Sequence, residues 1–316
     1  YYYFLFIDWP KDEIEKGIRR EICYRSKSLS GPFERKTLVE DDMHFYKCGI
    51  AQGCLIDTQD GQWFAILFQD RGALGRIPYL MPVTWQDNWP ILTKNGKIPQ
   101  TFEINLDEYK SEPLIQSDSF NHNKNKLALC WQWNHNPENS KWSFTEKPGF
   151  LRLHTATITK DFFKAQNTLT QKTKGPECEF SVLMNFQNIQ NGDFAGLSAF
   201  QGCFGLVGIT KHNNKTFIRM KKGKYSDGAI DETEIEYDKF EIFLKIHFSF
   251  CKNNDCATFF YSDDNKNWIQ IGDPLHLYFT LDLFIGVRIG IFNYAEEKLG
   301  GYCDFKDFNF FSKTLD

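Results

Sequence analysis

Short apolar runs, each closed by a turn signal, constrain this chain more than any other feature. The runs are Tyr2–Ile7, Gly53–Ile56, Trp63–Phe68, Phe150–Leu153, Glu179–Phe186, Leu206–Ile209, Phe240–Phe250, Thr258–Tyr261 and Val287–Phe292, with Asp-Gly, Asn-Gly, Asn-Asn or Pro in the breaks. Runs of this length, bounded by residues that accept left-handed backbone or fix φ, read as strands joined by turns. The sequence therefore predicts an all-β protein. The clearest hairpin is Asp57-Thr58-Gln59-Asp60-Gly61-Gln62-Trp63, where Asp-Gly sits between apolar segments. Aromatic residues make up 16% of the chain, which favours sheet again, because flat rings suit a pleated, half-buried surface. For any single ring, core packing is the first reading and stacking on a sugar face the second. One stretch departs from the pattern. Lys11–Ile22 places Ile14, Ile18 and Ile22 at helical spacing, while Ile18, Arg20, Ile22 and Tyr24 alternate as in a strand. The expectation is a loop or short helix leading into a strand from about Arg19.

A chain of 316 residues has room for about two domains at roughly 100–200 residues each. The polar, turn-rich stretch Thr101–Asn125, flanked by Lys94-Asn95-Gly96-Lys97 and holding Pro113 and Asn121-His122-Asn123-Lys124-Asn125, places the boundary. The division is 1–115 and 116–316. No apolar run approaches the ~18 residues of a membrane-spanning helix, so no membrane partner is expected. A net charge of −4 lacks the basic surface of a general nucleic-acid binder. The nine cysteines include no Cys-x-x-Cys pair, which argues against a zinc ribbon and for buried free thiols. Cys251 and Cys256 bracket a turn and are a candidate disulfide in an oxidising compartment. The acceptor Asn214-Lys215-Thr216 is the one glycosylation signal; the compartment stays open, with export slightly favoured. The histidines show no metal-ligand spacing. The chain starts inside an apolar strand, Tyr1-Tyr2-Tyr3-Phe4-Leu5-Phe6-Ile7, and further sequence is expected ahead of it.

Three segments carry a family resemblance. Arg25-Ser26-Lys27-Ser28-Leu29-Ser30-Gly31-Pro32-Phe33-Glu34 resembles a strand-turn of glycoside hydrolase family 43. Gly49 to Thr58, Phe68 to Pro78 and Trp85-Gln86-Asp87-Asn88-Trp89-Pro90 resemble the last propeller blades of that family's β-xylosidase and α-L-arabinofuranosidase branch. Trp131-Gln132-Trp133-Asn134-His135-Asn136-Pro137, with Lys141-Trp142-Ser143 and Pro148 to Leu153, is similar to the start of the concanavalin-A-like β-sandwich appended to those enzymes. Tyr261-Ser262-Asp263-Asp264, Trp268 and Gly301 to Phe305 fit the same sandwich.

The resemblance implies the C-terminal blades of a five-bladed β-propeller followed by a sandwich. It also implies exo-acting removal of xylose or arabinose from a xylo-oligosaccharide or arabinoxylan fragment, with inversion and no required cofactor. Such chemistry uses one protonated carboxyl to donate to the leaving oxygen and one carboxylate to activate water, roughly 6.5–9.5 Å apart. In the family the Asp, Asp and Glu concerned lie ahead of the strand that opens this chain, so no catalytic residue is nominated here. The missing N-terminal blades are expected in cis or in trans, because an open propeller leaves bare strand edges and apolar faces.

Arg76, in Gly75-Arg76-Ile77, aligns with the family's substrate-pocket arginine, whose planar guanidinium suits paired sugar hydroxyls or a carboxylate; the plain alternative is a surface salt bridge. Gln69, Asp70 and Arg71 end a strand before Gly72 and are candidate pocket residues, with an Asp70–arginine ion pair as the structural reading. Position 51 is Ala where many family members carry a histidine near a channel metal ion, which puts a His-held ion in doubt; Gln52 remains a candidate to line the channel. Trp133 and His135, in the Trp131–Asn136 cluster, are candidates to wall off the sugar, the structural reading being tryptophans packing a domain interface and a turn at Asn-His-Asn-Pro. Gly192, Asp193, Asp304 and Asp307 are candidate ligands of a structural calcium ion. The rival to a hydrolase fragment is a non-catalytic carbohydrate-binding or scaffold protein derived from one.

Overall fold

Strand formation follows the apolar runs from the first residues. The computed structural model describes residues 1–10, 17–104, 109–224, 230–251 and 254–313. Strands β1 (Tyr2–Asp8), β2 (Arg20–Ser26) and β3 (Glu34–Val39) form one antiparallel sheet in the order β1-β2-β3. Of the ambiguous Lys11–Ile22 stretch, residues 11–16 lie outside the described residues, and the strand begins at Arg20. Strands β4 (Ala51–Asp57), β5 (Trp63–Asp70), β6 (Arg76–Gln86) and β7 (Trp89–Ile91) form a second antiparallel sheet in chain order. The expected hairpin joins β4 to β5: Thr58 N–H donates to the Gln62 carbonyl at 2.8 Å, and Gly61 takes φ 81°, a value that costs glycine nothing. These are two blade-like sheets of a partial propeller. Cys23, Leu38 and Val39 from the first sheet and Ala65, Leu67 and Met81 from the second share one buried cluster.

The outward faces of this unit are apolar and open. Tyr2, Phe4 and Phe6 alternate along β1, and Phe6 is 50% exposed. Cys54, Ile66 and Leu80 are cross-strand partners on β4, β5 and β6, and all are exposed. A contiguous apolar row in water is what one expects where another layer packs.

The second unit is a sandwich. Its strands are β8 (Gln132–Trp133), β9 (Trp142–Ser143), β10 (Leu151–His154), β11 (Leu169–Lys172), β12 (Glu177–Asn185), β13 (Asp193–Phe200), β14 (Cys203–His212), β15 (Lys215–Lys224), β16 (Ile230–Glu236), β17 (Glu241–Ser249), β18 (Cys256–Ser262), β19 (Ile269–Gln270), β20 (Leu275–His276), β21 (Arg288–Ala295) and β22 (Tyr302–Lys313). One sheet runs β19-β18-β17-β12-β22-β10-β9, with β20 on β18; the other runs β16-β15-β14-β13-β21-β11-β8. Strict alternation along β12 and β17 sends Phe180, Val182, Met184, Leu244, Ile246 and Phe248 inward, where they meet Ala195, Leu197, Val207 and Ile289 of the facing sheet. The facing sheet is buried on its outer side as well: Phe162, Phe194, Phe200, Phe204, Phe292 and Tyr294 form a separate aromatic cluster.

Two details differ from expectation or refine it. Cys251 and Cys256 are free thiols. The register of β17 with β18 sets Ser249, not Cys251, opposite Cys256, and Cys251 Sγ lies 3.1 Å from Ser249 Oγ instead. The units divide between Tyr109 and Lys110, a few residues before the 115/116 division, and Gly72–Leu74 belongs with the second unit.

Candidate functional site

In the first unit, polar side chains gather where β2, β4, β5 and β6 meet. Asp70 ends β5 and is buried with two arginines: Arg19 Nη1 on Oδ2 at 2.6 Å and Arg76 Nε on Oδ1 at 3.0 Å. Both carboxylate oxygens are thereby engaged. Arg76 stands directly opposite Asp70 in the β5–β6 register, and its guanidinium lies over the Phe68 ring at 4.3 Å. The pair and the ring fix the plane of the Arg76 guanidinium. Arg19 is only 2% exposed; it also donates from Nε to the Gly49 carbonyl and faces the Phe68 and Trp9 rings. A buried charge needs such a set of partners, because an unpaired one costs several kcal/mol.

The Gln69 amide is taken up by hydrogen bonds within the first unit. Its Nε2 donates to the carbonyls of Asp42 and Cys48, and its Oε1 accepts from Tyr79 Oη. It holds the 42–48 loop. Arg71 donates to the Tyr79 hydroxyl at 2.8 Å and lies over Phe45. Gln52 has φ 67° and sits in a β-bulge between Ala51 and Gly53. Its N–H donates to Glu21 Oε2 at 2.6 Å, while its side chain is exposed. The bulge needs glycine next to it: a Cβ on Gly53 would stand 1.8 Å from the Ile66 carbonyl oxygen.

Arg19 and Glu21 were not among the sequence candidates. Glu21 and Cys23 are alternate residues of β2 and Arg19 directly precedes that strand, so the spacing by two is the available signal. Glu21 is fully buried, its Oε1 has no partner, and burial pushes its carboxyl up to about 7 against the pull of the Gln52 N–H.

In the second unit, Trp131 and Trp133 pack into the sandwich core, since β8 pairs with β11. Trp131 Nε1 donates to Asp118 at 2.9 Å, and Trp133 meets Trp142. His135 is exposed, with Nε2 donating to the Phe163 carbonyl at 2.6 Å. Asn134 Oδ1 accepts from Arg288. The candidate calcium ligands have protein partners of their own. Asp304 accepts from Arg152 through both oxygens and pairs with Lys147. Asp307 sits at φ 54° by the β12–β22 register shift, and Asp193 Oδ2 caps the Gln190 N–H. Among the described residues no three His, Cys, Asp or Glu side chains are grouped to hold a metal ion.

The family model for the β-xylosidase C-terminal concanavalin-A-like domain matches residues 117–311. A β-xylosidase of Formosa agariphila is 29% identical over 324 residues, covering 92% of this chain and 52% of that protein. A non-reducing end α-L-arabinofuranosidase of Bacteroides ovatus is 35% identical over 231 residues, covering 68% of this chain and 43% of that protein. Among solved structures, one described as a bifunctional GH43-CE protein of Bacteroides eggerthii superimposes with TM-score 0.86 at 40% identity, over 99% of this chain and 39% of the other. The chain thus spans about half the length of the curated relatives it matches.

Proposed function

Since the chain belongs to the glycoside hydrolase family 43 proteins that carry the β-xylosidase C-terminal concanavalin-A-like domain, we propose that it is the back section of an exo-acting hemicellulose hydrolase. The enzyme removes terminal xylose or arabinose from xylo-oligosaccharide or arabinoxylan fragments. The observation that carries this reading is the 40% identical match across 99% of the chain, which takes in both the partial propeller and the sandwich. The names of the relatives supply the two sugars.

The reaction in this reading is inverting. A carboxylic acid protonates the leaving oxygen while a carboxylate across the sugar draws a proton from the attacking water. Both groups, with a third carboxylate that orients them, belong to propeller blades this sequence does not contain. The chain contributes Arg76, whose guanidinium is held by Asp70 and the Phe68 ring and donates to sugar hydroxyls. Asp70 and Arg19 position it. Gln52 offers an exposed amide from its bulge. Gln69 and Arg71 hold loops rather than substrate. The open apolar rows along β1 and across β4-β5-β6 support docking of further blades, in the same polypeptide or in another.

The test compares this chain with a longer protein that carries the remaining blades, on aryl β-xyloside and aryl α-L-arabinofuranoside. The longer protein is expected to hydrolyse one or both and this chain neither. Arg76→Ala in the longer protein should lower kcat/KM by about a hundredfold, the scale of a lost charge-assisted hydrogen-bond pair of about 3 kcal/mol. Activity in this chain alone, or an unchanged kcat/KM for Arg76→Ala, contradicts the reading. Sugar binding without hydrolysis in the longer protein would favour the carbohydrate-binding alternative.

A further inference from the structure

On the outer side of the sheet β16-β15-β14-β13-β21-β11-β8, two cations stand together without an anion. Lys172 of β11 and Arg288 of β21 are direct cross-strand partners, and Phe200 of β13 is the next residue in the same row. Like charges directly opposite each other destabilise an antiparallel pair, so a neighbouring carboxylate is the ordinary remedy. Among the described residues neither cation has one: Lys172 Nζ donates to the Ile285 carbonyl at 3.1 Å, and Arg288 Nη2 donates to Asn134 Oδ1 at 2.6 Å. The remaining donors stay unspent. Arg288 Nε is buried with no acceptor, and so is Nε2 of Gln201, the residue after Phe200. Burial lowers both cations below their ordinary values, Arg288 to about 10, and Arg288 lowers Lys172 further. An unoccupied cation pair thus costs the fold stability.

The guanidinium is nevertheless held in place. It lies 4.4 Å over the Phe200 ring, and Asn134 fixes one of its nitrogens. Both side chains keep part of their surface in water, so a small anion reaches them from solvent. A planar fork beside a point charge is the arrangement that takes a carboxylate with several charge-assisted hydrogen bonds.

We infer that this face of the sandwich binds the carboxylate of a sugar acid, a uronic acid residue, through Arg288 and Lys172. The choice of a sugar acid over other carboxylates rests on the hemicellulose reading above; the cation pair itself does not. The sandwich then selects acid-bearing chains, while hydrolysis takes place on the propeller.

The test titrates this chain with sodium D-glucuronate, sodium acetate and D-xylose at matched ionic strength, by calorimetry and by thermal melting. Glucuronate is expected to bind and to raise Tm, with xylose about tenfold weaker or more because it lacks the carboxylate and its charge-assisted contacts, and acetate weaker because it lacks the ring hydroxyls. Lys172→Met should bind glucuronate about tenfold more weakly, and without ligand it should melt no lower than the parent, because a repulsion has gone. A merely structural lysine would lower the melt instead. Arg288→Gln should lose binding likewise; if it does not fold, Lys172→Met decides. No binding of glucuronate, equal binding of acetate, or undiminished binding by Lys172→Met overturns the inference. Hydrolysis by the longer protein with no glucuronate binding here sinks this inference alone; glucuronate binding with no hydrolysis sinks the hydrolase reading alone.

Discussion

The two units bury their sheets in different ways. In the sandwich each sheet finds a partner face: Phe180, Leu244 and Ile246 meet Leu197 and Ile289, and even the outer side of one sheet is capped by Phe162 over Phe200 and Phe292. In the first unit the two sheets share one cluster around Ala65, Leu67 and Cys23 and leave the rows Tyr2-Phe4-Phe6 and Cys54-Ile66-Leu80 in water. Apolar strands of the same kind thus yield a finished core in one region and an unfinished one in the other. A hydrophobic face is stable only where a second layer covers it, and what the first unit lacks is that layer.

The largest effect that sharpens this contrast is in the sandwich. Phe259 is fully buried, and its ring occupies the space a side chain on Gly205 would need. Phe259→Ala should cost about 4 kcal/mol, read in denaturant melts of the sandwich signal. A loss below about 1 kcal/mol would mean the core is loosely packed. Next comes Asp70→Asn in the first unit. It strips the carboxylate from Arg19, which is almost wholly buried, and should cost about 3 kcal/mol or more, with no change in the sandwich transition.

Burial also holds a carboxyl above its ordinary value in each unit, Glu21 in the first at about 7 and Asp193 in the second at about 6. For such groups the unfolded chain gives up its proton first as pH rises. The contribution of these two groups is therefore fully present below about pH 4, is lost as pH rises through the folded values, and is absent above about pH 7. Glu21→Gln keeps the acceptor for the Gln52 N–H and removes the loss in the first unit, by no more than about 3 kcal/mol. It should melt above the parent at pH 8 and with it at pH 4; equal melts at both would place Glu21 in water. The smallest effect tests the open rows. Ile66→Ser with Leu80→Ser should change this chain by less than about 0.5 kcal/mol, yet destabilise a longer protein by about 1–3 kcal/mol per side chain. Similar small effects in both would mean that nothing covers the row.

What the sequence disclosed depended on local chemistry. The β4–β5 hairpin was legible because Asp60-Gly61 demands a turn, and Asn213-Asn214, both at positive φ between β14 and β15, is the two-residue turn that joins strands tightly. Strand β6 was hidden by Pro78 and Pro82. They are tolerated because, four residues apart, both turn their missing N–H away from β5, to a side with no ladder there among the described residues. Strand β16 carries no alternation at all, since every residue in it is exposed; its pairing with β15, through Glu234 on Arg219 and Glu232 on Lys221, is set by charge rather than burial. In the candidate site, Asp70 and Arg76 were close enough in sequence to suggest an ion pair. Arg19, 51 positions before Asp70, was not, and nothing local marks Glu21 as buried. The Cys251–Cys256 disulfide failed on register, a property of strand pairing that spacing alone does not fix.

Hydrogen exchange, resolved to peptides, compares Trp63–Asp70 with Glu177–Asn185 in this chain and in a protein carrying the further blades. The account predicts that the sandwich strand is equally protected in both, while the propeller strand exchanges faster in this chain and gains protection when the blades are present. Equal protection of Trp63–Asp70 in the two proteins would contradict it.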